Sequence, residues 1–228
     1  AAPSRTFNIG DATNYTPVLI AFAGNTTGSG SLIAYTTAGD DADIDNSGID
    51  LDNSVNRTWT ISQGTAPVGG FTSYSGTFTF IGGSPVDIDV PANWNSFVVR
   101  KLSGTWATTT IGTKTATTTQ ATGITLASGF GEYQIGVPRT ITVATNPVNS
   151  TICAGSNTTF NSTSTSIPAP TIQWQRGNPG YTTITAILDN PNTTYSNFTT
   201  TTLSLTGSET PINGYLYRAV FTNINGTA

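Results

Sequence analysis

The chain has no histidine, no methionine and a single cysteine, Cys153. A lone thiol cannot close an internal disulfide, so the fold must be held by packing, and a metal site built from cysteines is excluded with it. Without histidine the commonest metal ligand and the usual general base are both missing, and neither a Ser-His-Asp nor a Cys-His arrangement can be assembled from these residues. Charge is scarce too. Asp, Glu, Lys and Arg make up 9% of the 228 residues, where an ordinary globular chain carries about a quarter. The eight cations are scattered apart from the adjacent Arg100 and Lys101, and the net charge is −4, a pattern that argues against binding nucleic-acid phosphates. No apolar run approaches the roughly 20 residues of a membrane-crossing helix, so no membrane insertion of this segment is expected.

What fills the polar positions is Thr, Ser, Asn and Gly. Thr is β-branched and suits a half-exposed pleated surface, so the Thr runs at 108–110, 117–119 and 199–202 are expected on the wet faces of strands. In Thr58-Trp59-Thr60-Ile61 and Gly76-Thr77-Phe78-Thr79-Phe80 the apolar residues fall on one face and Thr on the other, the period of a strand with one side buried. Some eight such strands are expected before residue 137, with Gly or Pro interrupting nearly every helical window. The fold class that follows is all-β: two tandem antiparallel β-sandwiches, a β-module at 1–137 and an Ig-like sandwich at 138–228 that lacks its last strand. Pro138 ends one module and stiffens the short link to the next, which suggests a semi-rigid rod.

The second module is built around Trp174 in Gln173-Trp174-Gln175 and around Gly214-Tyr215-Leu216-Tyr217-Arg218-Ala219-Val220-Phe221. Phe160 lies fourteen residues before Trp174 and Cys153 twenty-one, so Phe160 is expected to pack on Trp174 where an Ig disulfide would sit. Cys153 is then expected as a small buried hydrophobe near a sheet edge, and Tyr217 fits a tyrosine-corner position. Asn225 to Ala228 follow this strand at once. The expectation is an open strand edge along Tyr215, Tyr217, Ala219 and Phe221, completed by later residues of a longer parent chain or by a strand added from a partner.

Several strings resemble a known family: Phe7 to Val18, Thr36-Thr37-Ala38-Gly39-Asp40, Ser47-Gly48-Ile49-Asp50, Ser54 to Thr60 and Gly112 to Thr117. These look like a β-module of very large surface proteins secreted by Bacteroidetes. Ile152-Cys153-Ala154-Gly155, Trp174-Gln175 and Gly214-Tyr215-Leu216-Tyr217-Arg218 are similar to the Ig-like repeat of the same proteins, with Ala219 where relatives commonly carry Cys. The resemblance implies adhesin-like chains exported by the type IX route, an extracellular or cell-surface location, and no assigned catalysis.

Two further features are candidate sites. Taking Asp41 as position 1, oxygen donors fall at the spacing of a calcium loop: Asp41, Asp43, Asp45, Ser47 and Asp52. Asn46 stands where the sharp turn normally needs Gly, and the alternative is a solvated acidic loop between strands. Asp87 and Asp89 would emerge on one strand face, about 7 Å apart after two rises, as an acid pair or as an exposed face that blunts edge pairing. Of the two tryptophans near Phe97, Trp94 is in the more loop-like setting and is the candidate ligand contact, ahead of Trp106. The function expected is a non-enzymatic structural or adhesive segment of a large extracellular protein or filament. Its partners are neighbouring modules of the same or an adjacent chain, or surface glycans and other cells. The alternatives are a carbohydrate- or calcium-binding accessory module of a secreted hydrolase, and a filament subunit that self-assembles by strand complementation. No resident cofactor is expected beyond calcium at the acidic loop.

Overall fold

A computed structural model describes residues 3–27, 30–82, 87–177, 179–185 and 192–228. The chain is all-β and divides into two compact units, Ala1–Arg139 and Thr140–Ala228. The strands of the first unit are β1 (Ser4–Phe7), β2 (Val18–Ala23), β3 (Leu32–Ala38), β4 (Ile49–Ser54), β5 (Arg57–Gln63), β6 (Ser73–Thr79), β7 (Val98–Ser103), β8 (Thr105–Thr108), β9 (Thr110–Thr115), β10 (Thr118–Thr125) and β11 (Gly131–Pro138). One helical turn, α1 (Ile44–Ser47), precedes β4. The strands form two antiparallel sheets, β1-β2-β6-β10-β9 and β3-β5-β11-β7-β8, with β4 pairing the far end of β11.

Alternation places the core between the sheets. Tyr74 and Phe78 on β6 meet Trp59 on β5 and Tyr133 on β11, with Trp59 and Phe78 rings 5.5 Å apart and Phe78 and Tyr133 rings 4.7 Å apart. Burying each such ring stabilises the unit by about 1.5–3 kcal/mol. The Tyr74 and Tyr133 hydroxyls bond each other, and Tyr74 also donates to the Gly129 carbonyl. The Thr faces are less uniformly wet than expected: Thr58 and Thr119 are buried, and of the run at 199–202 only Thr202 lies in a strand.

At the start of β5 the inward position is taken by Arg57, whose side chain has no exposed surface. Its Nε and Nη2 donate to the two oxygens of Asp87, both at 2.9 Å, and Nη2 donates also to Asp11 at 2.8 Å. Asp87 additionally accepts the Ile81 N–H. The expected exposed strand face of Asp87 and Asp89 is therefore corrected. Val86 lies outside the described residues, Ile88 makes only a single bridge to Val55, and Asp89 turns back to accept from the Ser54 N–H and the Asn56 amide. The Asp87 carboxylate is occupied by Arg57 and the Ile81 N–H, and the Asp89 carboxylate by the turn that joins β4 to β5.

In the second unit the strands are β12 (Val143–Thr145), β13 (Thr158–Asn161), β14 (Thr163–Ser164), β15 (Thr171–Gly177), β16 (Tyr181–Thr183), β17 (Thr194–Ser196), β18 (Thr202–Thr206), β19 (Leu216–Asn223) and β20 (Gly226–Thr227). One sheet runs β13-β18-β17 and the other β16-β15-β19-β20, with β12 pairing β14. This is the B-E-D and C-F pairing of an Ig-like sandwich. Trp174 is fully buried and its indole donates to the Thr200 carbonyl at 2.8 Å. Phe160 packs against the same core, but the ring it stacks on is Tyr217, at 4.7 Å. Tyr217 hydrogen-bonds the Tyr195 hydroxyl at 3.1 Å, where a tyrosine corner would reach for backbone. The last strand is represented by β20, which Gly226 makes possible by adopting a positive φ in the turn from β19.

Asp87→Asn is expected to destabilise the first unit by about 3–5 kcal/mol, because it leaves a buried guanidinium short of countercharge. Urea unfolding followed by tryptophan fluorescence measures this; a loss under about 1 kcal/mol would show that the pair is dispensable.

Candidate functional site

Residues 40 to 52 do not converge on one point. Asp41 accepts the Asp43 N–H, Asp43 accepts from the Asn46 amide and from the Trp106 indole, and Asp45 pairs with Arg139 at 3.1 Å. Ser47 is buried, donating to the Ile44 carbonyl and accepting from the Ile49 N–H. Asp52 lies on β4. The reason is α1: a helical turn sends successive side chains about 100° apart around its axis, and it stops at Gly48, whose left-handed φ of 75° closes the turn. Of the residues at calcium-loop spacing, Asp41, Asp43, Asp45 and Ser47 thus have partners in or beside a helical turn, and Asp52 lies apart on β4. Among the described residues no group of three or more His, Cys, Asp and Glu side chains could hold a metal ion.

The turn instead lies against the outward side of the sheet β3-β5-β11-β7-β8. The Asp41 N–H donates to Gln134, the Ser47 carbonyl accepts from Arg100, and the Trp106 indole N–H reaches both the carbonyl and the carboxylate of Asp43, at 3.0 and 3.1 Å. Glu132 on β11 hydrogen-bonds Asp41, and burial together with that neighbour raises its pKa. Asp40 is also raised, chiefly by burial, with the nearby charges of Asp89 and Asp41 adding to it while Ser54 and Gln134 hydrogen bonds oppose it. Asp11, by contrast, is held well below the usual carboxylate range by the Thr13 N–H and by Arg57.

Trp94 does not stand free in solvent. It opens a single 3-10 turn, Trp94–Ser96, and is half-buried against the hydrophobic core. Trp106, half-buried on β8, is the tryptophan that belongs to the outward face of the sheet. No family model matches the chain, and no curated protein matches it either. The residues themselves therefore carry the functional reading.

In the second unit the four predicted edge residues share one strand face. Tyr215 and Tyr217 are partly buried, Ala219 packs on the core and Phe221 is fully buried. Phe221 exchanges both main-chain hydrogen bonds with Ala228. Because main-chain groups alternate sides along a strand, those of Ala219 and Tyr217 turn to the side that Phe221 uses, and no described strand pairs them there. Beside this edge is a cleft of about 350 Å³ whose walls include Ile152, Cys153, Phe160, Leu205, Ile212 and Tyr217. Cys153 is exposed, not buried. The segment from 146 to 153 forms no strand and so leaves the thiol uncovered.

Two outcomes follow. Asp40→Asn is expected to raise the thermal midpoint at pH 7. A carboxyl with a raised folded pKa costs stability as pH climbs from the unfolded value near 4 through the folded one, and the amide escapes that cost. The gain should vanish below about pH 4, and an equal gain at every pH would remove the explanation. In the folded chain, Cys153 should react with a thiol reagent at a rate close to that of a free cysteine; protection comparable to a core thiol would contradict its placement.

Proposed function

We propose that the chain is a non-enzymatic structural or adhesive segment of a larger extracellular protein. The observation that carries this reading is the employment of its ionisable groups. The carboxylates that the sequence offers for chemistry, Asp87 and Asp89 among them, are tied to Arg57, Ser54 and Asn56 as parts of the scaffold. A catalytic acid or base needs a group held unsatisfied in a cleft, and these groups are already satisfied. The surface of hydroxyls and amides, together with the resemblance of both modules to secreted surface repeats, supports an extracellular site. Antibodies raised against the chain should label intact producing cells or their shed material. Labelling that appears only after the cells are made permeable would overturn the reading.

The side of β19 at Tyr217 and Ala219, unpaired among the described residues, favours a second reading, self-assembly by strand addition. Ala219 faces that side with its N–H, opposite Trp174 in a pair that exchanges no hydrogen bond, so proline there removes a donor from the edge without breaking the β15–β19 ladder. If strand addition operates, sedimentation should show assembly that grows with concentration in the natural sequence and is lost in Ala219→Pro. No assembly, or assembly that Ala219→Pro leaves unchanged, removes the second reading.

A further inference from the structure

The register of the sheet β3-β5-β11-β7-β8 lines up one residue from each of its five strands. Tyr35 pairs with Thr60, Thr60 with Glu132, Glu132 with Leu102, and Leu102 with Trp106. Tyr35, Thr60 and Glu132 are on the outward face, since their strand neighbours Ala34, Trp59, Ile61 and Tyr133 belong to the core side. Leu102 is three positions from the core residue Val99 and so faces outward too, and Trp106 follows from its cross-strand pairing with Leu102. Four inter-strand steps of about 4.8 Å put Tyr35 and Trp106 about 19 Å apart at the two ends of this row. Tyr35 is 51% exposed, as is its neighbour Ile33 at 54%. The Trp106 ring is held in a fixed orientation by its two hydrogen bonds to Asp43. At the rim of the sheet beside the row is a shallow groove of about 450 Å³, lined by Thr60, Ser62, Leu102 and Glu132 from the outward face and by Ile61 and Phe130 from the core side. The α1 turn walls the face near Trp106.

The chemistry of this face selects among occupants. A protein partner is fitted by a contiguous apolar centre depleted in charge, whereas here the two aromatic residues stand apart with Thr60 and Glu132 between them. An anionic ligand meets carboxyl groups, Glu132 and Asp41, while Arg100, on the same side of β7 as Leu102, lies buried with its guanidinium bonded to the Ser47 carbonyl of the α1 turn. A neutral polyhydroxyl chain fits on each count. Its hydroxyls donate to carboxylate oxygens and exchange hydrogen bonds with Thr60 and Ser62, and the apolar faces of its rings cover Tyr35 and Trp106. We infer that the outward face carrying Tyr35, Thr60, Glu132, Leu102 and Trp106 is a binding site for a neutral glycan chain laid across the strands. The inference rests on the adhesive reading above and names the class of its partner.

Native-gel affinity electrophoresis of the whole chain through soluble neutral polysaccharides (hydroxyethylcellulose, xyloglucan, laminarin and mannan), with alginate as the anionic control, tests it. At least one neutral polymer should retard the natural sequence. Tyr35→Ala and Trp106→Ala should each weaken that retardation by about tenfold, and Trp94→Ala, on the core side, should leave it unchanged if its melting curve shows it folded. Glu132→Gln, which keeps the shape of the side chain, should weaken binding even if an alanine variant fails to fold. Retardation by no neutral polymer, by alginate alone, or equally in Tyr35→Ala, Trp106→Ala and Glu132→Gln overturns the proposal. Surface labelling of intact cells is scored separately, so labelling without polysaccharide binding sinks the glycan site and leaves the adhesive reading intact.

Discussion

The buried guanidinium of Arg57 is the constraint to which much of the first unit answers. Removing such a group from water costs several kcal/mol and is offset only where countercharge and hydrogen bonds surround it. Asp87 supplies a two-point contact and Asp11 a third, which ties the turn after β1, the start of β5 and the loop ahead of β7 to one another. Arg57 shares its strand face with Trp59 and Ile61. A one-residue slip of β5 would turn all three to solvent at once. The ion cluster and the aromatic core therefore specify the same register, one by charge and the other by apolar surface.

That use of charge gives the low charge content a different meaning from the one composition suggests. Arg57, Arg100, Lys101 and Arg176 are buried, Arg139 pairs with Asp45 and Asp50, and Arg218 bonds Gln175 and lies over the Tyr181 ring at 3.9 Å. The ionic groups serve largely as internal fasteners. Solvation of the outside falls to Thr, Ser and Asn, which hydrogen-bond without long-range fields and so without strong electrostatic steering of partners. A surface of this kind meets neutral, hydroxyl-rich partners on equal terms.

The strand period and the aromatic punctuation made the fold class legible. Trp59, Phe78 and Trp174 sit in the core as alternation requires, and helix is confined to short turns. Strands poor in apolar contrast were read only in part: β10 was signalled by its opening Thr118-Thr119 alone, since it offers only Ala121 and Ile124 to the core, and β4 overlapped what read as a ligand loop. Site chemistry was harder to read because it depends on contacts distant in sequence. Spacing suggested oxygen ligands along 41 to 52 but could not register the helical turn that separates them. Arg57 counted as one more scattered cation, although an Arg placed in phase with Trp59 and Ile61 is a readable sign of a buried ion pair. Local context put Trp94 ahead of Trp106, whereas cross-strand register, invisible in one dimension, decides which tryptophan reaches the outer face.

The two features on which these proposals turn differ in kind. Strand addition beside β19 would use main-chain groups, which accept nearly any extended strand and discriminate weakly, with selectivity left to the cleft beside it. The outward face of the first unit offers side chains, one from each of five strands, and its selectivity lies in their order. That order is Tyr, Thr, Glu, Leu, Trp only while the four ladders between these strands keep register, and β5, which carries Thr60, is the strand whose register Arg57 fixes. Recognition at the face thus depends on the buried ion cluster without touching it. The chain spends its few charges on the register that arranges an uncharged surface.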